Sequence, residues 1–206
     1  MRIRRCVGTR CLALTFSLLL VGSVLRPAAG QLLGPEFQVT RYTTDSQLYA
    51  VLAADDAGDF LVSWSSRPQD GSGWGIFAQR FNSDGVPVGS EFRVNTYTLA
   101  YQRHSAVAAV GSGTFVVVWE SQQQDGSGYG VFGRMSVAGG PAPGEFRVNT
   151  YPILDQKSAA VAATGPGTFV VVWKGEFQDG SSYGVFGQRL MSPGSPIGGE
   201  FRVNTF

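Results

Sequence analysis

Phe115-Val116-Val117-Val118-Trp119 is followed closely by Gln124-Asp125-Gly126-Ser127-Gly128-Tyr129-Gly130-Val131-Phe132, and the same pair of blocks occurs three times in the chain. Phe60-Leu61-Val62-Ser63-Trp64 leads into Gln69 to Phe77, and Phe169-Val170-Val171-Val172-Trp173 leads into Gln178 to Phe186. The first block is a near-continuous β-branched run, which predicts a strand buried on both faces. The second opens on Asp-Gly-Ser, where Asp folds onto its own backbone and Gly supplies positive φ, so it predicts a turn. The segment after it, Tyr-Gly-Val-Phe-Gly, alternates large and small residues and predicts a second strand.

Each unit holds two more strands. Small apolar runs precede the Trp strand at Ala50 to Ala54, Ala106 to Val110 and Ala159 to Ala163. Glu-Phe-Arg-Val-Asn-Thr closes each unit at Glu91, Glu145 and Glu200, and a diverged copy, Glu36-Phe37-Gln38-Val39-Thr40, stands before the first. These glutamates are 55, 54 and 55 residues apart. Arg80, Arg134 and Arg189 end the third strand of each unit, and the second copy has lost one residue just before its arginine. The expectation is an all-β fold of tandem four-stranded antiparallel units, β-propeller-like blades spanning about 46–96, 101–150 and 155–205, with an extra strand at 36–40. Three blades are fewer than the roughly four to eight of a closed ring. The expected assembly is therefore incomplete, or is completed by a second copy of the chain.

The first thirty residues differ from the rest. Arg2, Arg4, Arg5 and Arg10 precede an apolar stretch from Leu12 to Leu25, and Ala28-Ala29-Gly30 offers small residues for cleavage. Residues 1–30 are expected to be a secretory signal peptide and 31–206 the β-repeat domain, secreted or at the cell surface, with no membrane span after cleavage. Cys6 and Cys11 both lie in the leader, so a disulfide scaffold or cysteine chemistry is not expected downstream. Losing the five leader arginines leaves 11 basic against 15 acidic residues, a charge of −4. Such a balance argues against nucleic acid as the partner.

The Glu-Phe-x-Val-Asn-Thr, Phe-Val-Val-Val-Trp and Gln-Asp-Gly-Ser-Gly blocks resemble a repeat of large bacterial secreted and surface proteins, in which such arrays often accompany hemolysin-type calcium-binding repeats. The resemblance implies an exported, non-catalytic binding or structural module that contacts carbohydrate or other surface proteins. The nonapeptide Gly-Gly-x-Gly-x-Asp of the calcium-binding repeats does not occur here. The Asp70-Gly71 turn also loosely resembles the aspartate box of sialidase-type propellers, a structural element.

No phosphate loop or zinc motif is present. His104 is the single histidine, aligned with Tyr49 and Ser158, and reads as a surface residue. Trp64, Trp119 and Trp173 read as core. The ligand-binding candidates are Trp74, Tyr129 and Tyr183 beside each turn, with Asp70, Asp125 and Asp179 within it. An aromatic ring flanked by polar groups can stack on a sugar while those groups bond its hydroxyls. No catalytic residue, resident metal or other cofactor is expected. Two alternatives remain: a remnant of a propeller-type glycan hydrolase, and a calcium-stabilised surface repeat, with one Asp per turn as a sparse ligand set.

Overall fold

The computed structural model describes residues 36–138 and 140–205. The leader expected at 1–30 lies outside them. The chain divides after Phe37, and residues 38–205 are the body described below.

These residues form three antiparallel sheets, with no helix among them. Blade 1 holds β1 (Gln47–Ala54), β2 (Phe60–Ser66), β3 (Gly75–Phe81) and β4 (Pro87–Arg93). Blade 2 holds β5 (Gln102–Gly111), β6 (Thr114–Gln122), β7 (Tyr129–Val137), β8 (Gly140–Pro141) and β9 (Phe146–Arg147). Blade 3 repeats this with β10 (Gln156–Gly165), β11 (Thr168–Glu176), β12 (Tyr183–Met191), β13 (Ser195–Pro196) and β14 (Phe201–Arg202). Each sheet is an antiparallel meander; in blades 2 and 3 the outer edge comes in two short pieces, so that β8 and β9 both pair with β7, and β13 and β14 both with β12. The first strands β1, β5 and β10 pack successively on one another, so they form the inner edge of the three blades.

The alternation of side chains gives each blade two faces. On blade 2 one face carries Phe115, Val117, Trp119 and Phe132, and it packs on Leu61, Ile76, Ala78 and Val94 of blade 1. The other face carries Val116, Val118, Val131 and Val148, and it packs on Phe169, Val171, Trp173 and Phe186 of blade 3. The face toward the preceding blade is called trailing and the face toward the next blade leading. Trp64, Trp119 and Trp173 are all trailing and all at most 2% exposed, so the expected core tryptophans are core. The both-faces burial expected for the Trp strand holds for β2 and β6, whereas β11 alternates between buried and half-buried.

Three details of the sequence reading change. Residues 36–40 form no strand; instead, the Arg41 amide and the Thr40 hydroxyl donate to Glu91. The Glu-Phe-Arg-Val-Asn strand stops at its arginine. Beyond it, the Val94 amide still donates to the Ile76 carbonyl, and the Asn95 side chain then accepts from the Ile76 amide at 2.7 Å. Asn149 and Asn204 do the same for Val131 and Val185. A side-chain amide thus replaces the last rung of the ladder and frees the backbone to leave the sheet.

The third change concerns the arginines. Leu61 pairs with Arg80 and Val170 with Arg189, but Val117 pairs with Arg134. The one-residue deletion moves Arg134 to the other face, because side chains alternate with period two. Arg80 is leading, with its guanidinium 5.2 Å from the centre of the Phe115 ring and bonded to the Gly113 carbonyl. Arg134 is trailing and donates to the Val94 carbonyl of blade 1. Burial lowers its pKa; the charge of Glu145 opposes this and that of Arg93 adds to it.

Candidate functional site

The repeated Gln-Asp-Gly-Ser turns lie at the end of the blades where β1, β5 and β10 begin, since Gln47 pairs with Ser66 and Gln102 with Ser121. Asp70 Oδ1 accepts from the Ser72 amide at 3.1 Å, and Asp179 Oδ1 from the Ser181 amide at 3.3 Å. The second carboxylate oxygen lies close to the glycine at the start of the following strand. A Cβ at Gly75, Gly130 or Gly184 would sit 2.5, 2.5 or 2.7 Å from it. That contact is why glycine follows the aromatic residue in every unit. Both Asp125 oxygens are buried without a protein hydrogen bond, and Arg202 lies 3.7 Å from Asp179.

The repeated Gln and Glu stitch blade to blade. Gln69, Gln124 and Gln178 donate to Glu91, Glu145 and Glu200. Each glutamate then reaches back one unit: Glu145 accepts from the Thr96 amide, and Glu200 from the Thr150 amide at 2.8 Å and its hydroxyl at 3.0 Å. These carboxylates are spread one per blade and committed to linkers.

The three aromatic candidates are equivalent in sequence but not in surroundings. Trp74 is half-buried, and its carbonyl accepts from the Gln102 amide at the entry to blade 2. Tyr129 is 8% exposed, with Arg103 and Lys157 on its ring at 4.9 and 4.4 Å. Tyr183 is 48% exposed, with Lys174 on its ring at 4.3 Å. The structure brings Tyr129 into a cluster and leaves Trp74 and Tyr183 on separate blades.

That cluster is centred on Glu120, which the sequence reading did not single out. Each innermost strand bulges near its start, at Leu48/Val51, Arg103/Ala106 and Lys157/Ala160. Tyr49, His104 and Ser158 occupy the bulges with φ of 59°, 51° and 56°. Such a conformation costs a non-glycine residue of order 1 kcal/mol or more, so neighbours must hold it. The bulge amide of His104 donates to Ser65 on the preceding blade, and that of Ser158 to Glu120 Oε1 at 2.7 Å. Glu120 is 1% exposed, and its Oε2 lies 3.0 Å from His104 Nδ1 and 3.7 Å from Arg103 Nε. The Tyr49 ring meets the His104 ring edge-on at 4.4 Å. His104 is thus an oriented, half-buried group rather than a free surface residue.

Asp155 completes the group. It accepts from the Tyr129 amide at 3.0 Å and pairs with Lys157. Burial works to lower the Lys157 pKa, but the Asp155 hydrogen bond and charge, helped by Tyr129 and Glu120, outweigh it and raise the value. The cluster therefore presents Arg103, Lys157 and the outer edge of the His104 ring, while both carboxylates are engaged from within. No group of three His, Cys, Asp or Glu side chains suited to a metal occurs among the described residues.

A signal for this site was present in the repeat itself. Aligned positions read Leu48, Arg103 and Lys157; Tyr49, His104 and Ser158; Ser65, Glu120 and Lys174. Where copies agree they build the blade. These positions disagree in charge, and they meet at one end of the inner strands.

No family model and no curated protein matches the chain. Among solved structures it is similar to an alpha-L-arabinofuranosidase from Lactobacillus brevis, with 12% identity, a TM-score of 0.51, and 79% of this chain and 58% of that one covered. An endo-1,4-beta-xylanase from Bacteroides thetaiotaomicron VPI-5482 aligns at 12% identity and TM-score 0.48, over 79% of this chain and 63% of that one. An endo-arabinase from the same organism aligns at 13% and 0.43, over 78% and 57%. The chain spans about three-fifths of the length of these structures. The likeness to the arabinofuranosidase agrees with the packing of the three sheets: the fold is all-β and propeller-like.

Proposed function

We propose that residues 38–205 form a non-catalytic binding module whose ligand is a glycan lying across the Arg103–His104–Tyr129–Lys157 end of the inner strands. The observation that carries this reading is the engagement of both nearby carboxylates. Glu120 holds the Ser158 amide and His104, and Asp155 holds the Tyr129 amide and Lys157. Glycoside hydrolysis needs two carboxyl groups free to act, about 5 to 9.5 Å apart across the scissile bond. Here they orient donors instead, and donors are what sugar hydroxyls and carboxylates accept from. The arabinofuranosidase-like fold supports a glycan as the ligand class. Export to the cell exterior, as the leader suggests, belongs to the same proposal.

The test is calorimetric titration with arabino-, xylo- and uronate-bearing oligosaccharides, alongside a reducing-sugar assay on the same panel. Binding that weakens at least about tenfold in Arg103→Ala and Lys157→Ala, without release of reducing ends, supports the reading; about 1.4 kcal/mol corresponds to that factor. Binding to none of the panel overturns it. Hydrolysis lost in Glu120→Gln replaces it with the hydrolase alternative.

A further inference from the structure

The leading face of blade 3 carries the residues that bury against a neighbour on the other two blades, yet it is exposed. Val185 is 40% exposed and Val203 52%, whereas their counterparts Val131 and Val148 are 0% and 3%, and Ile76 and Val94 are 0% and 1%. Tyr183 is 48% exposed against 8% for Tyr129. Val170 and Val172 are half-buried, where Val116 and Val118 are fully buried. Arg189 projects from the same face and is exposed, whereas Arg80 in its position on blade 1 is 6% exposed.

We infer that this face is a docking surface for one further blade of the same repeat, packed on blade 3 as blade 2 packs on blade 1. The internal interfaces define what that partner must present. Its second strand carries Phe-x-Val-x-Trp on the approaching face, as Phe115, Val117 and Trp119 do against Leu61 and Ile76. The phenylalanine ring goes under Arg189, whose guanidinium takes the carbonyl of the adjacent Gly hairpin, as Arg80 takes Gly113 at 2.8 Å. Its closing glutamate takes the Thr205 amide, as Glu200 takes that of Thr150.

One position sets a further requirement. Ser65 and Glu120 accept the bulge amide of the next blade. Lys174 stands in that place on blade 3 and only donates. The partner therefore brings an acceptor there, best a carboxylate on its innermost strand. A second copy of this chain fits less well. The trailing face of its blade 1 has Val39 packed on Val62, Trp64 and Phe77. Its Glu91 is already taken by Thr40 and Arg41.

The test compares the chain with one extended after Thr205 by a second copy of residues 97–150, whose Phe115, Val117 and Trp119 meet the packing requirements; Lys174→Ser in both chains supplies the acceptor that the copied innermost strand lacks, as Ser65 does for His104. Val185→Asp and Val203→Asp are placed in both and melted. In the unextended chain each shifts Tm by less than about 1 °C, because the side chain is already solvated. In the extended chain each lowers Tm by about 5 °C or more, as a carboxylate is buried unpaired. Equal small shifts in both chains overturn the inference. So does concentration-dependent dimerisation of the unextended chain that Val185→Asp abolishes, since the face would then belong to a second copy. Neither outcome depends on whether a glycan binds.

Discussion

Replacing Asn149 by alanine should destabilise the protein far more than the same change at Asn204, although the two residues hold the same place in the repeat. Asn149 is 1% exposed and makes three hydrogen bonds. It accepts from the Val131 amide at 2.8 Å and donates to the Tyr151 carbonyl at 2.7 Å and to Gln156 Oε1 at 3.1 Å. Alanine removes all three partners at once. Val131 and Gln156 are both 0% exposed, so their polar groups are left without protein or water. An unsatisfied buried group costs about 1–3 kcal/mol, and the two together cost about 2–6 kcal/mol. Tyr151 is half-buried, and water can serve its carbonyl. Asn204 accepts from the Val185 amide at 2.6 Å in an exposed setting, beside a valine that is 52% exposed. Water replaces a bond in that setting, and the loss should be about 1 kcal/mol or less. Urea denaturation followed by tryptophan fluorescence measures both variants; the midpoint should fall with m unchanged. A domain of this size loses about 2–4 °C of Tm per kcal/mol, so the two melts should also separate clearly. Equal effects at the two sites would refute the claim that the asparagine side chain is the buried last rung of the ladder.

Gly130→Ala places a methyl carbon 2.5 Å from Asp125 Oδ2 and 3.1 Å from the Phe132 ring, and should cost about 1–3 kcal/mol; pairing it with Asp125→Ala should recover much of that in a double-mutant cycle. Glu120→Ala frees the Ser158 amide and should destabilise by about 1–3 kcal/mol, while Glu120→Ser recovers part of it, because Ser65 does the same work for His104. The raised Lys157 pKa contributes stability that is full below the unfolded value of 10.5 and lost as pH rises through the folded value; Asp155→Asn should bring that value down in an NMR titration of the Lys157 side chain, and an unmoved titration would contradict the pairing. Chelation should leave Tm unchanged, since each turn offers a single Asp, one carboxylate for a cation that takes about six to eight oxygens; a fall in EDTA reversed by calcium would establish the calcium-stabilised alternative.

Regular features of the fold were legible because they repeat. Trp64, Trp119 and Trp173 could be placed in the core from their position at the end of a β-branched run, and they are. The glycine after each turn aromatic was visible as a pattern, but its cause needed the carboxylate above it. Two kinds of information were hidden. One is phase: Arg134 aligns with Arg80 by identity, yet the deletion before it turns it to the opposite face. The other is the replacement of backbone by side chain. Thr40 and Asn95 sit in a motif that reads as strand, but their polar groups end pairing rather than extend it. Recurrence picks out the turn aspartates and one aromatic per blade. The cluster around Glu120 stays hidden in the repeat because its members differ from unit to unit.

That difference has a physical basis in how tandem blades divide their work. A residue needed to close each blade on the next is needed in every copy, as Gln124, Glu145 and Thr96 are. A ligand meets the array once, and it samples whichever copies lie under it. Residues that serve it are therefore released from the repeat, within the limit that they still satisfy any backbone group assigned to their position. Glu120 meets both conditions: it accepts the Ser158 amide as Ser65 accepts that of His104, and its second oxygen orients an imidazole that no other blade has. Lys174 fails the first, since an ammonium cannot accept, and it lies on the face where no further blade is packed. The same argument explains the unequal burial of Tyr129 and Tyr183. In a stack whose stability is a sum of nearest-neighbour terms, identical side chains acquire different energies according to whether a neighbour is present. Tyr129 between two cations is a fixed part of the Glu120 cluster, and Tyr183 becomes comparable only when a fourth sheet covers it.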